Sequence, residues 1–386
     1  MKKCYDALSV TAAAKELFKE ERSKKRVDGW FISREIVYKK QESLVGLSKE
    51  MRAAKELEAI LNELPLSISD HAIFAGSQSD AFARSYALIN PSFRVETFSG
   101  YCDPTAVYDD IEPNEEFTPE RIARVREFTK NSAYIRSLSA MYEKYENYTE
   151  EVAFFIEQVT GHIIPDFRPA LKYGINAILS DLDQKRAAET DIQKKDNYAA
   201  MQVTLKAVLR LAERYAIIAE KKAEMATDTR KEQLLHFAST LRRVPADGCH
   251  TLFEAIQAYM LLWEVMCLEQ APNPFAFSIG NADRIFEPYR AMEGLCRDEA
   301  AALLKHFLVF FNVGDRSWAI SQNLIVSGRD LDGNDMTNNT SYALLDAYYD
   351  MNLPQPILSV KLHPNTPSNL YEELGRFFFS PGVLTP

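Results

Sequence analysis

Phe275-Ala276-Phe277-Ser278-Ile279-Gly280 is a short apolar run closed by a glycine. Two more runs of this kind follow, Asn323-Leu324-Ile325-Val326-Ser327-Gly328 and Pro356-Ile357-Leu358-Ser359-Val360-Lys361-Leu362. Short apolar stretches bounded by turn residues read as buried strands. Each is followed by a segment of helical composition, and strands joined by helical crossovers predict a parallel sheet or barrel. The region from about 248 to 386 therefore reads as mixed strand and helix.

The region before it, about 1–247, reads as mainly helical. Between 101 and 247 the only glycines are Gly161 and Gly174. Residues 9–25 and 47–63 carry the Ala, Leu, Glu and Lys of amphipathic helices. Over 196–226, Met201, Leu205, Val208, Leu209, Ala212, Tyr215 and Ile218 recur at steps of three or four, which predicts one long helix. Thr118 before Pro119 predicts a capped helix start. Ile68 to Gly76 is a short apolar stretch ending in glycine, and 90–113, with three prolines and Gly100, reads as irregular.

Glycine supplies 14 of 386 residues, about half the usual share, which favours long helices over a many-stranded β architecture. A net charge of −10 makes the chain a poor non-specific ligand for nucleic acid or an anionic membrane. No run of apolar residues is long enough to span a bilayer. The opening MKKCYDALSVTAAAKELFKEE lacks the apolar core of a signal peptide. Cys4, Cys102, Cys249, Cys267 and Cys296 form no CxxC pair, and an odd number of cysteines in a chain this large predicts reduced thiols in a cytoplasmic protein.

Several polar clusters carry possible chemistry. Thr160-Gly161-His162-Ile163-Ile164-Pro165-Asp166-Phe167 sets a histidine on a loop beside an aspartate, a pair suited to general acid–base work. The structural alternative has Pro165 opening a helix whose first turn Asp166 complements. Phe277-Ser278 with Gly280-Asn281-Ala282-Asp283-Arg284 puts small polar groups at a strand end, where α/β folds bind ligands, or else forms only a strand-to-helix turn with Asp283 bonding it. Asp330-Leu331-Asp332-Gly333-Asn334-Asp335 superficially matches a calcium loop. The twelfth position, however, is Ser341 rather than Glu, so a tight turn is expected. GxGxxG, P-loop, GxSxG and HExxH motifs are absent, and the six histidines lack metal-ligand spacing. Adjacent Cys249 and His250 do not aim two side chains at one point and read as structural, and an unrelated hydrolase using a Cys/His pair has no nucleophile context to support it.

Five segments, in order, resemble glycyl radical enzymes, the superfamily of pyruvate formate-lyase and glycerol dehydratase. Gly161-His162 through Asp166, Leu171 and Gly174 resembles GHxxPDYxxVLxxG. Val244-Pro245 with Thr251-Leu252-Phe253-Glu254-Ala255-Ile256-Gln257 resembles VPxxPAxTFxEAxQ. Ser278-Ile279-Gly280-Asn281-Ala282-Asp283-Arg284 resembles SxGRxDQ, with Asn281 where the family has Arg and Arg284 where it has Gln. Gly328-Arg329-Asp330, Gly333, Asp335, Thr337-Asn338 and Ser341-Tyr342 resemble GGxDxxGxDATNxLSY, and Gln355 to His363 resembles the strand that follows.

The resemblance implies a helix-rich α/β fold, the N-terminal half of a ten-stranded α/β barrel surrounded by helices. The family's thiyl-forming Gly-Cys-x-Glu and radical Arg-Val-x-Gly-Tyr are absent from 1–386, and the chain ends on the apolar Phe377 to Pro386. It therefore reads as a piece of a longer polypeptide whose second half carries the glycyl radical, with no catalytic residue, metal or cofactor of its own. The resemblance implies radical C–C, C–O, C–N or C–S cleavage of a small polar metabolite, or formate C-acetyltransfer in an anaerobic setting. It implies a radical-installing activating enzyme that uses S-adenosylmethionine and an iron–sulfur cluster, and a possible homodimer. By motif position, His162, Asp166, Phe277 and Ser278 are the substrate-pocket candidates. A non-catalytic or split-subunit homologue acting through a partner chain is the alternative.

Overall fold

The computed structural model describes residues 5–23, 29–76, 163–269, 277–311 and 322–386, with isolated positions between 120 and 144. In chain order the elements are α1 (Ala7–Ser23), α2 (Gly29–Lys40), a 3-10 turn (Gln41–Leu44), α3 (Lys49–Glu63), α4 (Arg168–Ala188), α5 (Ile192–Met225), α6 (Asp228–Arg243), α7 (Leu252–Glu269), β1 (Gly280–Asn281), α8 (Ala282–Glu293), α9 (Arg297–Phe311), β2 (Asn323–Ser327), α10 (Asn339–Met351), β3 (Ile357–Lys361) and α11 (Ser368–Phe378). Among the described residues the strands form one parallel sheet in the order β1-β2-β3. The parallel pairing and helical crossovers match the sequence reading. Half of a ten-stranded barrel is more than these three strands display.

The apolar runs mark the strands with one difference. β2 and β3 fill their runs, whereas β1 is only two residues long, with Phe277 and Ser278 described but ahead of it. Ala276 and Phe275 lie outside the described residues, as do Thr118, Pro119 and 90–113. The stretch 68–76 forms neither helix nor strand.

The long helix α5 runs from Asp191, whose carboxylate accepts the Gln193 and Lys194 amides, to Met225. Its buried stripe is richer in alanine than the apolar pattern suggests: Ala207, Ala212, Ala216 and Ala219 are buried with Val208, Leu211 and Tyr215. Met201 is 43% exposed. Small residues let α5 lie close to α3 on one side and α6 on the other. The central helix is α7, buried on nearly all sides. Its Trp263 indole donates to the Phe277 carbonyl at 2.8 Å and so ties it to the chain entering β1. Tyr259 on the same helix lies among the rings of Phe167, Phe286, Phe307 and Phe311.

Gly174 interrupts α4 with φ of +79°, a conformation that a side chain resists. A Cβ there would meet the Ala246 carbonyl and come within 2.5 Å of Asp247 Cα. The loop after α6 packs into this gap: Ile175 and Asn176 donate to the Pro245 and Ala246 carbonyls, and Cys249 donates to Leu171. Two of the recognised sequence segments are thereby locked together at their glycine.

Candidate active site

Ser278 is where three segments meet. Its amide donates to the Ile163 carbonyl at 3.1 Å, which brings the residues following His162 alongside the entry to β1. Its hydroxyl accepts the Asn323 amide at 2.9 Å, joining the entry of β1 to that of β2. Ser278 is 5% exposed and Phe277 is fully buried. At Gly280, φ is +75°, a conformation that favours glycine, and a Cβ would stand 3.0 Å from Ile164 Cγ2, tight against the 163–164 segment.

Of the other sequence candidates, His162 lies outside the described residues, one position before Ile163. Asp166 is exposed. Its carboxylate accepts the backbone amide of Arg168 and its guanidinium Nε and Nη2, at 2.7 to 3.2 Å, and Arg168 holds its carboxyl below the usual range. Pro165 does not open the helix as the sequence reading expects. α4 starts three residues later at Arg168 with Pro169 in its first turn, because 163–166 is drawn out beside β1.

At the opposite end of the strands stands a buried polar network centred on Asp283, which the sequence reading offers as a turn-bonding residue but without its distant partners. Asp283 Oδ2 accepts the Ser327 amide and the Ser341 hydroxyl, each at 2.6 Å, and Oδ1 accepts the Arg284 amide at 2.8 Å. Burial raises its carboxyl, opposed by those three donors. Ser327 has φ of +64° and its hydroxyl donates to Thr337, which donates to Asp335. The His363 imidazole meets the same Asp335 oxygen at 2.9 Å. The network thus fastens the ends of β1, β2 and β3 to the start of α10, where Asn338 and Ser341 form a reciprocal capping box. Arg284 donates to the Ser327 and Arg329 carbonyls. The Asp283 and Asp335 carboxylate oxygens are all bonded by protein donors, which suits a brace. The 330–335 segment is a tight turn, with Asp330 accepting the Asp332 and Asn334 amides.

Cys249 and Cys267 are buried, and burial pushes the Cys249 thiol up to about 12 and Cys267 well above its ordinary value. A buried, protonated thiol is a poor nucleophile, which weighs against a Cys/His hydrolase using either of them. Among the described residues no group of three or more His, Cys, Asp or Glu could hold a metal, and no helix is long and apolar enough to cross a membrane. An apolar groove of about 550 Å³ between α3, α4, α5 and α7 is lined by Leu57, Leu182, Met201 and Leu262, with Glu50 and Glu269 also on its wall.

A family model described as pyruvate formate lyase-like matches residues 9–386. The chain belongs to that family. The likeness to glycyl radical enzymes is borne out by the relatives of this pyruvate formate lyase-like chain. It is 26% identical over 230 residues to the isethionate sulfite-lyase of Desulfovibrio desulfuricans, covering 53% of this chain and 27% of the relative. It is 32% identical over 214 residues to the trans-4-hydroxy-L-proline dehydratase of Clostridioides difficile, covering 51% and 27%. A solved glycyl radical enzyme from Archaeoglobus fulgidus superposes with a TM-score of 0.75 at 21% identity, covering 94% of this chain and 49% of that one. That superposition establishes a shared fold. The chain spans about a quarter of the length of these curated relatives and half of the solved structure.

Proposed function

We propose that this chain forms the substrate-binding side of a glycyl radical enzyme that cleaves a C–O, C–S, C–C or C–N bond of a small polar metabolite. Ser278 and His162 contact the substrate in this reading, Phe277 shapes the wall behind them and Asp166 lies at the rim. The supporting observation is the meeting at Ser278: the segment after His162 joins its backbone amide and the entry of β2 joins its hydroxyl, at one buried residue ahead of β1. A loop histidine can move a proton to or from a substrate hydroxyl or its leaving group. A buried serine hydroxyl fixes the orientation of a polar substrate where water is excluded.

The cysteines of this chain do not fit the thiyl role. None has the Gly-Cys-x-Glu context. In this reading the radical steps are carried by a second half that follows in a longer polypeptide, or by a partner chain. In this reading they depend on a separate S-adenosylmethionine and iron–sulfur activating enzyme, and the chain's own residues bind and orient. The homodimer and the cytoplasmic setting belong to the same proposal.

The test is the activated full natural polypeptide with His162→Gln and Ser278→Ala, each assayed for turnover of its substrate. A positioned acid–base group is worth roughly a hundredfold or more in rate, so His162→Gln should lose at least that. Turnover unchanged in both variants removes the assignment.

A further inference from the structure

Three cations gather at the end of the strands remote from Ser278. Arg284 lies in the first turn of α8, Arg329 two residues past β2, and Lys361 at the end of β3, in register with Ser327. Gly328 has φ of +90°, and a Cβ there would stand 3.3 Å from both Arg284 Nη2 and Lys361 Cδ. The glycine thus lets two cationic side chains close over one point of the backbone, next to Arg329. Arg284 Nη2 donates to the Ser327 and Arg329 carbonyls, while its Nε is buried without a partner. Arg329 and Lys361 are exposed, and among the described residues none of the three cations forms an ion pair. The carboxylates at this end are turned elsewhere. Asp283 accepts the Ser327 amide and the Ser341 hydroxyl, Asp330 accepts from the Asp332 and Asn334 amides, and Asp335 accepts from Thr337 and meets His363.

Other arginines of this acidic chain are engaged by carboxylates: Arg121 by Glu35, Arg242 by Glu213 and Glu220, and Arg297 by Asp346 and Glu373. With a net charge of −10, the chain has carboxylates to spare, so three unpaired cations in one place are not a product of composition. The motifs that these segments resemble carry Gln at 284 and Gly at 329, so two of the three cations are departures of this chain from the pattern. Guanidinium groups beside an ammonium suit a tetrahedral oxyanion of charge near −2, whose several oxygens can each take a different donor. We infer that Arg284, Arg329 and Lys361 hold a phosphoryl group, free or carried by a metabolite, at the exit of the strands. The site lies apart from Ser278, takes no part in bond cleavage and stands independently of the substrate-binding reading.

The experiment titrates the full natural polypeptide, without activation, with inorganic phosphate and with ribose 5-phosphate, by calorimetry and thermal shift. Sodium chloride holds the ionic strength constant, so that general screening cancels. Phosphate should bind wild type, and Arg329→Gln and Lys361→Gln should each weaken it roughly tenfold or more, the worth of a hydrogen bond to a charged group. These two exposed residues are chosen because Arg284→Gln would also sever the bonds to the Ser327 and Arg329 carbonyls. Ser278→Ala should leave phosphate binding unchanged. Ribose 5-phosphate bound more tightly than phosphate would identify a phosphorylated metabolite as the ligand, and equal or weaker binding would identify the free anion. No heat or thermal shift from either compound beyond that of chloride overturns the inference. Binding that survives Arg329→Gln combined with Lys361→Gln overturns it too, as does binding that Ser278→Ala weakens equally, since phosphate would then occupy the substrate region. A ligand-free melting temperature several degrees lower in both single variants would mean that their charges pair with carboxylates elsewhere in the natural polypeptide, and the inference fails.

Discussion

His306→Gln changes how this fold responds to acid. His306 is on α9, and its Nε2 lies 3.0 Å from the Val10 carbonyl of α1. A carbonyl only accepts, so Nε2 carries a proton. The ring is 1% exposed and faces a small cavity of about 30 Å³ that Glu21, Ser67 and Ser69 also line. Burial, chiefly, with the nearby Arg230 and His71, lowers its pKa from 6.5 to about 4, against the opposing bond to Val10. The folded value lies below the unfolded one, so the unfolded chain takes up this proton first. The stabilisation is complete above pH 6.5 and is lost as pH falls from there to about 4. At roughly 1.4 kcal/mol per tenfold, that displacement amounts to about 3 kcal/mol. Urea unfolding at several pH values should show wild type losing about 3 kcal/mol more than His306→Gln between pH 7 and 4. Carboxylates common to both proteins cancel in the difference. The ring can also be followed directly by NMR, since the chain has only six histidines and the variant identifies the missing signal. A His306 signal that titrates near 6.5, or equal pH dependence in both proteins, would refute the reasoning.

Gly174→Ala should destabilise by at least about 2 kcal/mol, from the positive φ and the collision with the 246–247 backbone, read as a lower urea midpoint. Asp283→Ala should cost about 3 kcal/mol or more by leaving the buried Ser327 amide and Ser341 hydroxyl without their acceptor, and hydrogen exchange should quicken first at the ends of β2 and the start of α10. Native alkylation with iodoacetamide should modify the exposed Cys296 and spare Cys249 and Cys267, checked by peptide mass mapping; rapid labelling of either buried thiol would contradict its burial.

Much of the scaffold was legible in the sequence because it is encoded by near neighbours. The apolar runs at 323–328 and 356–362 and the three-to-four spacing over 196–226 are local patterns, and the strands and helix appear within a few residues of them. The order of the five motif segments carried the family as well. The two-residue length of β1 was not legible, because Phe277 and Ser278 bond to Trp263 and Ile163 instead of continuing a strand ladder. Nor was the exposure of Asp166: an aspartate three residues before Pro169 looks alike whether it faces a pocket or, as here, turns to Arg168.

By itself the sequence determined the elements, their parallel α/β order and the membership of the chain, since periodicity and spacing act over a few residues. Tertiary structure decided which polar groups share a partner. Asp283 reaches Ser341 across 58 residues, Ser278 reaches Asn323 across 45 and His306 reaches Val10 across 296. Such pairs leave no periodic trace, because burial and hydrogen bonding are settled by whichever segments the folded chain brings together.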